Sequence, residues 1–133
     1  MNKKLLMAGA FTALLAVVIG AFGAHGLKAL LPVAQLNTFE IGVRYQFYHS
    51  FAILLSGILY FHIPDKKIIT AGWFFLAGII LFSGSLYLLA CREILGITSW
   101  TFLGPLTPIG GVLFIIGWAI IIVGVGNSKI VNP

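Results

Sequence analysis

Four long stretches of the chain are almost entirely apolar, and short polar segments separate them. They run over residues 5–24, 43–61, 68–91 and 102–126. A helix needs about 20 residues to cross a bilayer, whereas a barrel strand needs about 10 residues of alternating polarity. The stretches have the length of the helix and lack the alternation. The pattern therefore predicts an all-α membrane protein, with four transmembrane helices in one compact bundle that forms a single domain, 1–133.

The composition supports this fold class and excludes several kinds of protein. Hydrophobic residues make up 60% of the chain and charged residues 8%, with a mean hydropathy of +1.10. A soluble domain averages about a quarter charged residues, so a soluble enzyme and a disordered segment are excluded. The eight Lys and Arg residues are scattered and form no basic patch, so no nucleic-acid partner is expected. Membrane lipids are the expected surroundings.

The basic residues predict how the helices are oriented, because cytoplasmic loops are enriched in Lys and Arg. With four spans, both termini lie on one side of the membrane. That side holds Lys3, Lys4, Lys66, Lys67 and Lys129, and the other holds Lys28, Arg44 and Arg92. The imbalance predicts that both termini are cytoplasmic. The first apolar stretch follows two lysines, as in a signal peptide, but it exceeds the usual 7–15 apolar residues of one. The longest loop, residues 25–42, is expected outside, with Pro32 starting a short helix on the membrane surface.

Small residues form a stripe on two of the predicted helices. On the first helix the stripe consists of Gly9, Thr12, Ala13, Ala16, Gly20, Gly23 and Ala24, and on the fourth of Gly110, Gly117 and Gly124. Close backbone approach across small residues joins helices in lipid, since apolar burial alone does not. The stripes are therefore predicted packing faces. They serve either contacts inside one bundle or contacts between copies, and the sequence does not separate the two.

Polar side chains gather at one depth of the predicted bundle, in its outer half. The second helix carries polar or small residues on one face, which we call the polar arc: Gly42, Tyr45, Gln46, His49, Ser50, Ile53, Ser56, Gly57 and Tyr60. The other helices bring further polar groups to the same leaflet. The candidate ligand-binding residues are His25, Tyr45, Gln46, His49, Ser50, Ser83, Ser85, Tyr87 and Thr107. A buried histidine in a membrane marks a functional site by default. The alternative is interhelical hydrogen bonding, in which the hydroxyls of Ser83, Ser85 and Tyr87 satisfy His49.

The sequence offers little support for catalysis, metal binding or ion-coupled transport. Zinc sites take three or four protein ligands, and His25 and His49 have no cysteine or acid nearby. Ser83 lacks the activating base and oxyanion hole of a nucleophile. No catalytic residue, metal or cofactor is therefore assigned. Pro105 and Pro108, before Gly110-Gly111, are the one transport-like feature, since they are expected to break the start of the fourth helix. Cys91 is the only cysteine, so no internal disulfide is possible.

Two arginines are expected to act as anchors at the membrane interface. Arg44 lies four residues after Glu40, a spacing that allows an ion pair along a helix. Arg92 follows the third apolar stretch. Long basic side chains near helix ends extend toward the headgroups while their stems stay in the apolar region. We therefore interpret both arginines as interfacial anchors. The alternative is that they bind anionic lipid headgroups from the outer side.

Four motifs, in order along the chain, resemble one family of small membrane proteins. They are Gly20-Ala21-Phe22-Gly23-Ala24-His25-Gly26-Leu27, Arg44-Tyr45-Gln46-Phe47-Tyr48-His49, Phe82-Ser83-Gly84-Ser85-Leu86-Tyr87, and Thr107-Pro108-Ile109-Gly110-Gly111 followed by Gly117-Trp118. The chain is similar in these motifs to the family called domain of unknown function four-two-three, whose animal relatives are called transmembrane protein two-five-six. The resemblance implies a four-span bacterial inner-membrane protein and transfers no catalytic residue.

Two functions follow as hypotheses from these patterns. The first is a non-enzymatic accessory or assembly subunit of a membrane-protein partner, or a small homo-oligomer, because the small-residue stripes favour association. The alternative is a protein that binds or transports a lipid or small molecule in a polar pocket in the outer half of the membrane. A cavity beside His49 would favour the second hypothesis.

Overall fold

The computed structural model describes residues 1–129, and every regular element in that range is helical. The α-helices are α1 (Lys3–Phe22), α2 (Val33–His62), α3 (Lys66–Gly78), α4 (Gly84–Ala90) and α5 (Leu103–Gly126). A π-helical turn, Gly23–Leu27, extends α1, and a second, Ile79–Ser83, joins α3 to α4. Three continuous segments, Lys3–Leu27, Lys66–Ala90 and Leu103–Gly126, are long and apolar enough to cross a membrane. The prediction of an all-helical chain with membrane-spanning helices is confirmed at this level.

The helix α2 is the one that differs most from its prediction. The expected surface helix after Pro32 is wrong, because α2 continues without interruption from Val33 to His62. Pro32 precedes the first turn, where a missing N–H is harmless, and no proline or glycine pair follows until the helix ends. At 1.5 Å per residue, its 30 residues span about 45 Å, more than the roughly 30 Å of hydrocarbon in a bilayer.

The helix α2 packs on most of the other elements, and this position accounts for its polar face. It contacts α1 along one side and α3, the π-turn and α4 along another, while α5 packs on α3, the same π-turn and α4. Side chains of α2 also reach α5 through the rings described below. A polar arc that would be costly against lipid therefore lies against protein.

The small-residue stripes are used for packing inside the chain. A Cβ at Gly9 would lie 2.9 Å from the backbone nitrogen of Leu54 in α2, and one at Gly110 would meet the backbone of Phe82. Side chains of neighbouring helices likewise occupy the space beside Gly23, Gly117 and Gly124. Only Ala24, at the end of the first stripe, is exposed. The stripes thus hold α1 against α2 and α5 against the third helical segment.

The expected break at the start of the fourth apolar stretch is wrong, since α5 is continuous and contains Pro108. Pro105 lies in the first turn, where no intrahelical bond needs its N–H. Pro108 removes one hydrogen bond, to the carbonyl of Gly104, and Gly104 is exposed near the helix end. The helix loses little there, so it does not unwind.

Candidate functional site

One hydrogen-bond network, which we call the Gln46 network, joins α1, α2 and α4. Gln46 is buried, and its Nε2 donates to the carbonyl of Thr12 over 2.8 Å. The Tyr87 hydroxyl donates to Oε1 of Gln46 over 2.6 Å. Ser50 Oγ lies 2.8 Å from Oγ1 of Thr12 and 2.7 Å from the Gln46 carbonyl. Thr12 was not predicted as a polar partner, although it carries the only hydroxyl on α1 and lies on the stripe that faces α2.

His49 lies on the other side of the polar arc and contacts α5. Its Nδ1 is 2.8 Å from the Tyr45 carbonyl, and the indole N–H of Trp118 donates to Nε2 over 3.2 Å. A carbonyl only accepts and an indole N–H only donates, so the proton of the neutral ring is on Nδ1. The Phe114 ring stacks on the imidazole, with centroids 3.5 Å apart and 7° between the planes. Both ring nitrogens of His49 therefore have partners within the chain.

The expectation that Ser83, Ser85 and Tyr87 satisfy His49 is wrong. Tyr87 donates to Gln46 instead, as described above. Along a helix, residues 46 and 49 are separated by about 60° around the axis, which is enough to direct the two side chains to different neighbours. The polar arc thus divides between α1 and α4 on one side and α5 on the other. Trp118, which binds His49, was part of a sequence motif but was not a predicted site residue.

The remaining predicted hydroxyls connect helices in pairs. Ser83 Oγ donates to the Gly42 carbonyl over 2.7 Å, and Ser85 Oγ lies 2.6 Å from Oγ1 of Thr107. Ser83 shares no hydrogen bond with His49 within the described residues, so the two do not form a nucleophile–base pair. His25 is exposed in the first π-turn, apart from these groups. The predicted site residues are therefore distributed among several local contacts.

A groove of about 510 Å³ lies beside His49, between α2 and α5, and we call it the α2–α5 groove. It is lined by Tyr45, His49, Phe82, Pro108, Gly111, Val112, Phe114, Ile115 and Trp118. No charged side chain lines it. The Tyr45 side chain is partly exposed, and its hydroxyl makes no hydrogen bond with residues 1–129. The groove therefore offers aromatic surfaces and one hydroxyl that is free to bind.

A second groove, of about 490 Å³, lies on the opposite side of the polar arc, between α1 and the α3–α4 segment. Thr12, Gln46 and Tyr87 contribute to its lining, and the rest of the lining is mostly aliphatic. These three residues already bond to one another in the Gln46 network. The second groove therefore presents a mainly apolar surface.

The two predicted anchor residues are exposed near one end of the molecule. Arg44 pairs with Glu40 at 3.8 Å, one helical turn away, which confirms the predicted ion pair. Both side chains are about half exposed, so the pair contributes little to stability. Arg92 is exposed just after α4 ends. Neither arginine lines the α2–α5 groove.

Comparison with known proteins identifies the family. The chain matches the family described as "Protein of unknown function (DUF423)" over residues 19–111. This chain belongs to the DUF423 family. The resemblance drawn from the four motifs is thereby confirmed. No solved structure matches this DUF423 chain.

Bacterial relatives match the DUF423 chain over nearly its full length. UPF0382 membrane protein YwdK of Bacillus subtilis is 44% identical over 126 residues, which cover 91% of this chain and 94% of the relative. UPF0382 membrane protein SAB0533 of Staphylococcus aureus is also 44% identical, covering 91% and 93%. A Staphylococcus saprophyticus relative, UPF0382 membrane protein SSP2132, is 41% identical, covering 92% and 96%. Their names and the apolar helices together show an integral membrane protein.

Proposed function

We propose that this DUF423 protein crosses the bacterial inner membrane four times and binds a membrane-soluble small molecule in the α2–α5 groove. The protein is non-enzymatic in this proposal, because both nitrogens of His49 are already bonded and Ser83 has no base beside it. The ligand is a neutral molecule with a flat ring, and it enters from the lipid. The observation that carries the proposal is the aromatic lining of this uncharged groove.

The four-span topology rests on helix lengths and on lysine distribution. Three segments have the length and hydropathy of membrane helices, and α2 is long enough to cross despite its polar arc. Short connections at residues 28–32 and 63–65 make successive helices antiparallel. Both termini then share one side with Lys66 and Lys67, and the excess of lysine on that side supports its cytoplasmic location.

The lining of the α2–α5 groove supports the proposed class of ligand. Tyr45, Phe82, Phe114 and Trp118 present rings, and flat rings pack on one another in offset or edge-on arrangements. The absence of charge in the lining selects a neutral molecule, because an ion would lose its hydration without compensation. The free Tyr45 hydroxyl selects a ligand that carries a hydrogen-bond acceptor such as a ring carbonyl. Small-molecule sites are typically apolar in this way, with a few polar groups that fix orientation.

Quenching of Trp118 fluorescence tests the proposal. The variant Trp73→Phe/Trp100→Phe leaves Trp118 as the only tryptophan, and a short-chain benzoquinone serves as the neutral, ring-bearing probe. Gly111→Leu places a side chain in the groove, where a Cβ meets only Phe82 at ordinary contact distance. The matched control is Gly104→Leu on the same helix, where nothing lies within 4 Å of a Cβ. We expect saturable quenching that Gly111→Leu abolishes and Gly104→Leu preserves. Quenching that never saturates, or that is equal in both variants, contradicts the proposal.

The accessory or homo-oligomeric role expected from the sequence is the competing proposal. Its original support was the small-residue stripes, and these stripes are largely occupied by contacts inside the chain. Association would instead have to use bulky exposed residues, such as Phe11 and Val18 of α1 or Ile115 of α5, which suit lipid equally well. Purification in a mild detergent separates the two roles. A monomer that retains a small molecule supports binding, and a reproducible protein partner or a defined oligomer supports association.

A further inference from the structure

We infer a second binding site, for the headgroup of an anionic phospholipid, where α2 begins and α4 ends. A cavity of about 290 Å³ lies there, lined by Ala34, Gln35, Thr38, Leu89, Ala90 and Arg92. We call it the Gln35–Arg92 pocket. It shares no lining residue with the α2–α5 groove, so the inference is independent of the proposed function.

The length of α2 places this pocket at the level of the lipid headgroups. The helix spans about 45 Å and the hydrocarbon of a bilayer about 30 Å, so α2 must extend beyond the hydrocarbon. Gln35 is the third residue of α2, and Arg92 comes two residues after α4 ends. The pocket therefore lies where phosphates and glycerol groups are found.

Gln35 carries the strongest indication of a ligand. Its Oε1 is buried and accepts no hydrogen bond from residues 1–129, and it is the only buried side-chain polar atom of that range in this condition. The side chain of Gln35 as a whole is partly exposed, whereas Gln46, Ser50 and Ser83 are buried and each of them has a partner. Buried polar groups in native proteins almost always have partners. Because Gln35 also lines the pocket, we expect its Oε1 to receive a donor supplied from outside the chain.

Arg92 supplies the positive charge of the pocket. Its side chain is exposed and forms no ion pair with the described residues, in contrast to Arg44 and Lys67. A guanidinium binds a phosphate through two parallel hydrogen bonds, which makes arginine well suited to this group. The first turn of α2 has no side-chain cap, so its N–H groups add positive potential on the same side.

These groups together define the ligand. Arg92 requires an anion, Gln35 Oε1 requires a hydrogen-bond donor, and Leu89 with Ala90 offers an apolar surface for a hydrocarbon chain. Phosphatidylglycerol provides a phosphate, glycerol hydroxyls and acyl chains. Phosphatidylmethanol has the same phosphate and chains but no headgroup hydroxyl, and phosphatidylcholine has neither a net charge nor a donor. The three lipids therefore separate the contributions of the two residues.

The test measures the affinity of the purified, full-length protein for each lipid in detergent, by native mass spectrometry. We expect binding in the order phosphatidylglycerol, phosphatidylmethanol, phosphatidylcholine, with a difference of about tenfold at each step, as expected for one charge-assisted or buried hydrogen bond. Equal binding of phosphatidylglycerol and phosphatidylcholine overturns the inference.

Soluble glycerol 3-phosphate should not compete with the lipid, because it lacks acyl chains. Competition at millimolar concentration would assign the pocket to a soluble phosphate ester and overturn the lipid assignment.

Variants of Gln35 separate ligand binding from a structural role. Gln35→Leu should reduce the preference for phosphatidylglycerol over phosphatidylmethanol to about one. It should also raise the melting temperature of the lipid-free protein, because it removes a buried acceptor that lacks a partner. The matched control, Asn37→Leu, changes an exposed residue two positions away that does not line the pocket. A lower melting temperature with an unchanged lipid preference would show that Gln35 is merely structural.

Variants of the basic residues separate a specific site from general attraction. Arg92→Gln should remove the preference for phosphatidylmethanol over phosphatidylcholine. Lys28→Gln removes the same charge from an exposed residue in the connection before α2, outside the pocket, and should leave the preference intact. If both variants lost this lipid preference equally, the attraction would be diffuse and the inference would be overturned. Gly111→Leu in the α2–α5 groove should not change lipid binding, so the proposed function and this inference can be disproved independently.

Discussion

Trp118 in α5 donates its indole N–H to Nε2 of His49 in α2, and the two residues are 69 positions apart in the chain. The bond fixes which nitrogen of His49 is protonated, since the other nitrogen faces the Tyr45 carbonyl. It also connects α2 directly to α5, although the backbones of these helices are linked mainly through the α3–α4 segment. His49 is thus satisfied by the chain itself, which leaves the neighbouring groove neutral.

Replacing Trp118 should weaken the link between α2 and α5. Trp118→Phe keeps an aromatic ring but leaves Nε2 of His49 without a donor, so we expect a loss of about 1 kcal/mol in the free energy of unfolding. Unfolding in mixed detergent micelles measures this loss. Trp100→Phe, in the exposed connection before α5, serves as the control and should have no effect. Equal stability of the two variants would show that the bond contributes nothing.

The histidines should differ in their effect on folding. His49→Ala removes a stacked ring that makes two hydrogen bonds, and it opens a cavity. It should destabilise the protein by about 2–5 kcal/mol, the range for large-to-small core changes. His62→Ala affects a partly exposed residue at the last turn of α2 and should cost less than about 1 kcal/mol. The same unfolding assay compares them. Similar tolerance of both substitutions would be inconsistent with a special role for His49.

Gln46 and Tyr87 should be energetically coupled. A double-mutant cycle of Gln46→Leu and Tyr87→Phe should give a coupling energy of roughly 0.6 kcal/mol or more, the average for interhelical bonds in membranes. Gln46 paired with Tyr48→Phe is the control cycle, because Tyr48 is exposed on the same helix. A coupling near zero for Gln46 and Tyr87 would mean that lipid or water replaces the bond at no cost.

Gly110 should be intolerant of any side chain. A Cβ there would meet the backbone of Phe82, which cannot rotate away, so Gly110→Ala should destabilise the protein by about 1–3 kcal/mol. Gly126→Ala is the control, because nothing lies within 4 Å of a Cβ at that position of the same helix. The control should be neutral or slightly stabilising, since alanine favours helix. Comparable stability of both variants would contradict the close helix contact.

The topology can be tested by cysteine labelling in intact cells. In a Cys91→Ser background, a membrane-impermeant maleimide should label Ala29→Cys, which lies in the connection before α2. Pro64→Cys, in the connection after α2, should react only after the cells are permeabilised. Both positions are exposed, so accessibility within the protein does not bias the comparison. Labelling of Pro64→Cys from outside would reverse the proposed orientation.

Hydropathy and periodicity predicted the helices well but not the partners of the polar side chains. Stretch length predicted α1 and α5 closely, because length and apolarity determine whether a segment can cross lipid. Periodicity also placed Gln46 and His49 on one arc of α2. The pairing of Gln46 with Tyr87 and of His49 with Trp118 depends on how the helices are positioned around that arc, which no local pattern encodes.

Two other features had no detectable sequence pattern. The extension of α2 over residues 33–42, before the predicted stretch, was missed because Glu40 and Arg44 lower the local hydropathy, although charged residues do not interrupt a helix. The enclosed Oε1 of Gln35 was missed because a glutamine near a helix start is ordinarily solvated. Both errors came from treating polarity as evidence against a continuous or enclosed structure.

The π-helical turn at Ile79–Ser83 has a consequence for how this chain tolerates changes in length. A π-turn holds one residue more than an α-helical turn, and that residue rotates everything beyond it by about 100° around the helix axis. Removing one residue from the turn would therefore reorient Gly84–Ala90 as a unit, moving Ser85 away from Thr107 and Tyr87 away from Gln46. The rotation of Gly84–Ala90 about the helix axis therefore depends on the number of residues in the turn as well as on their identity.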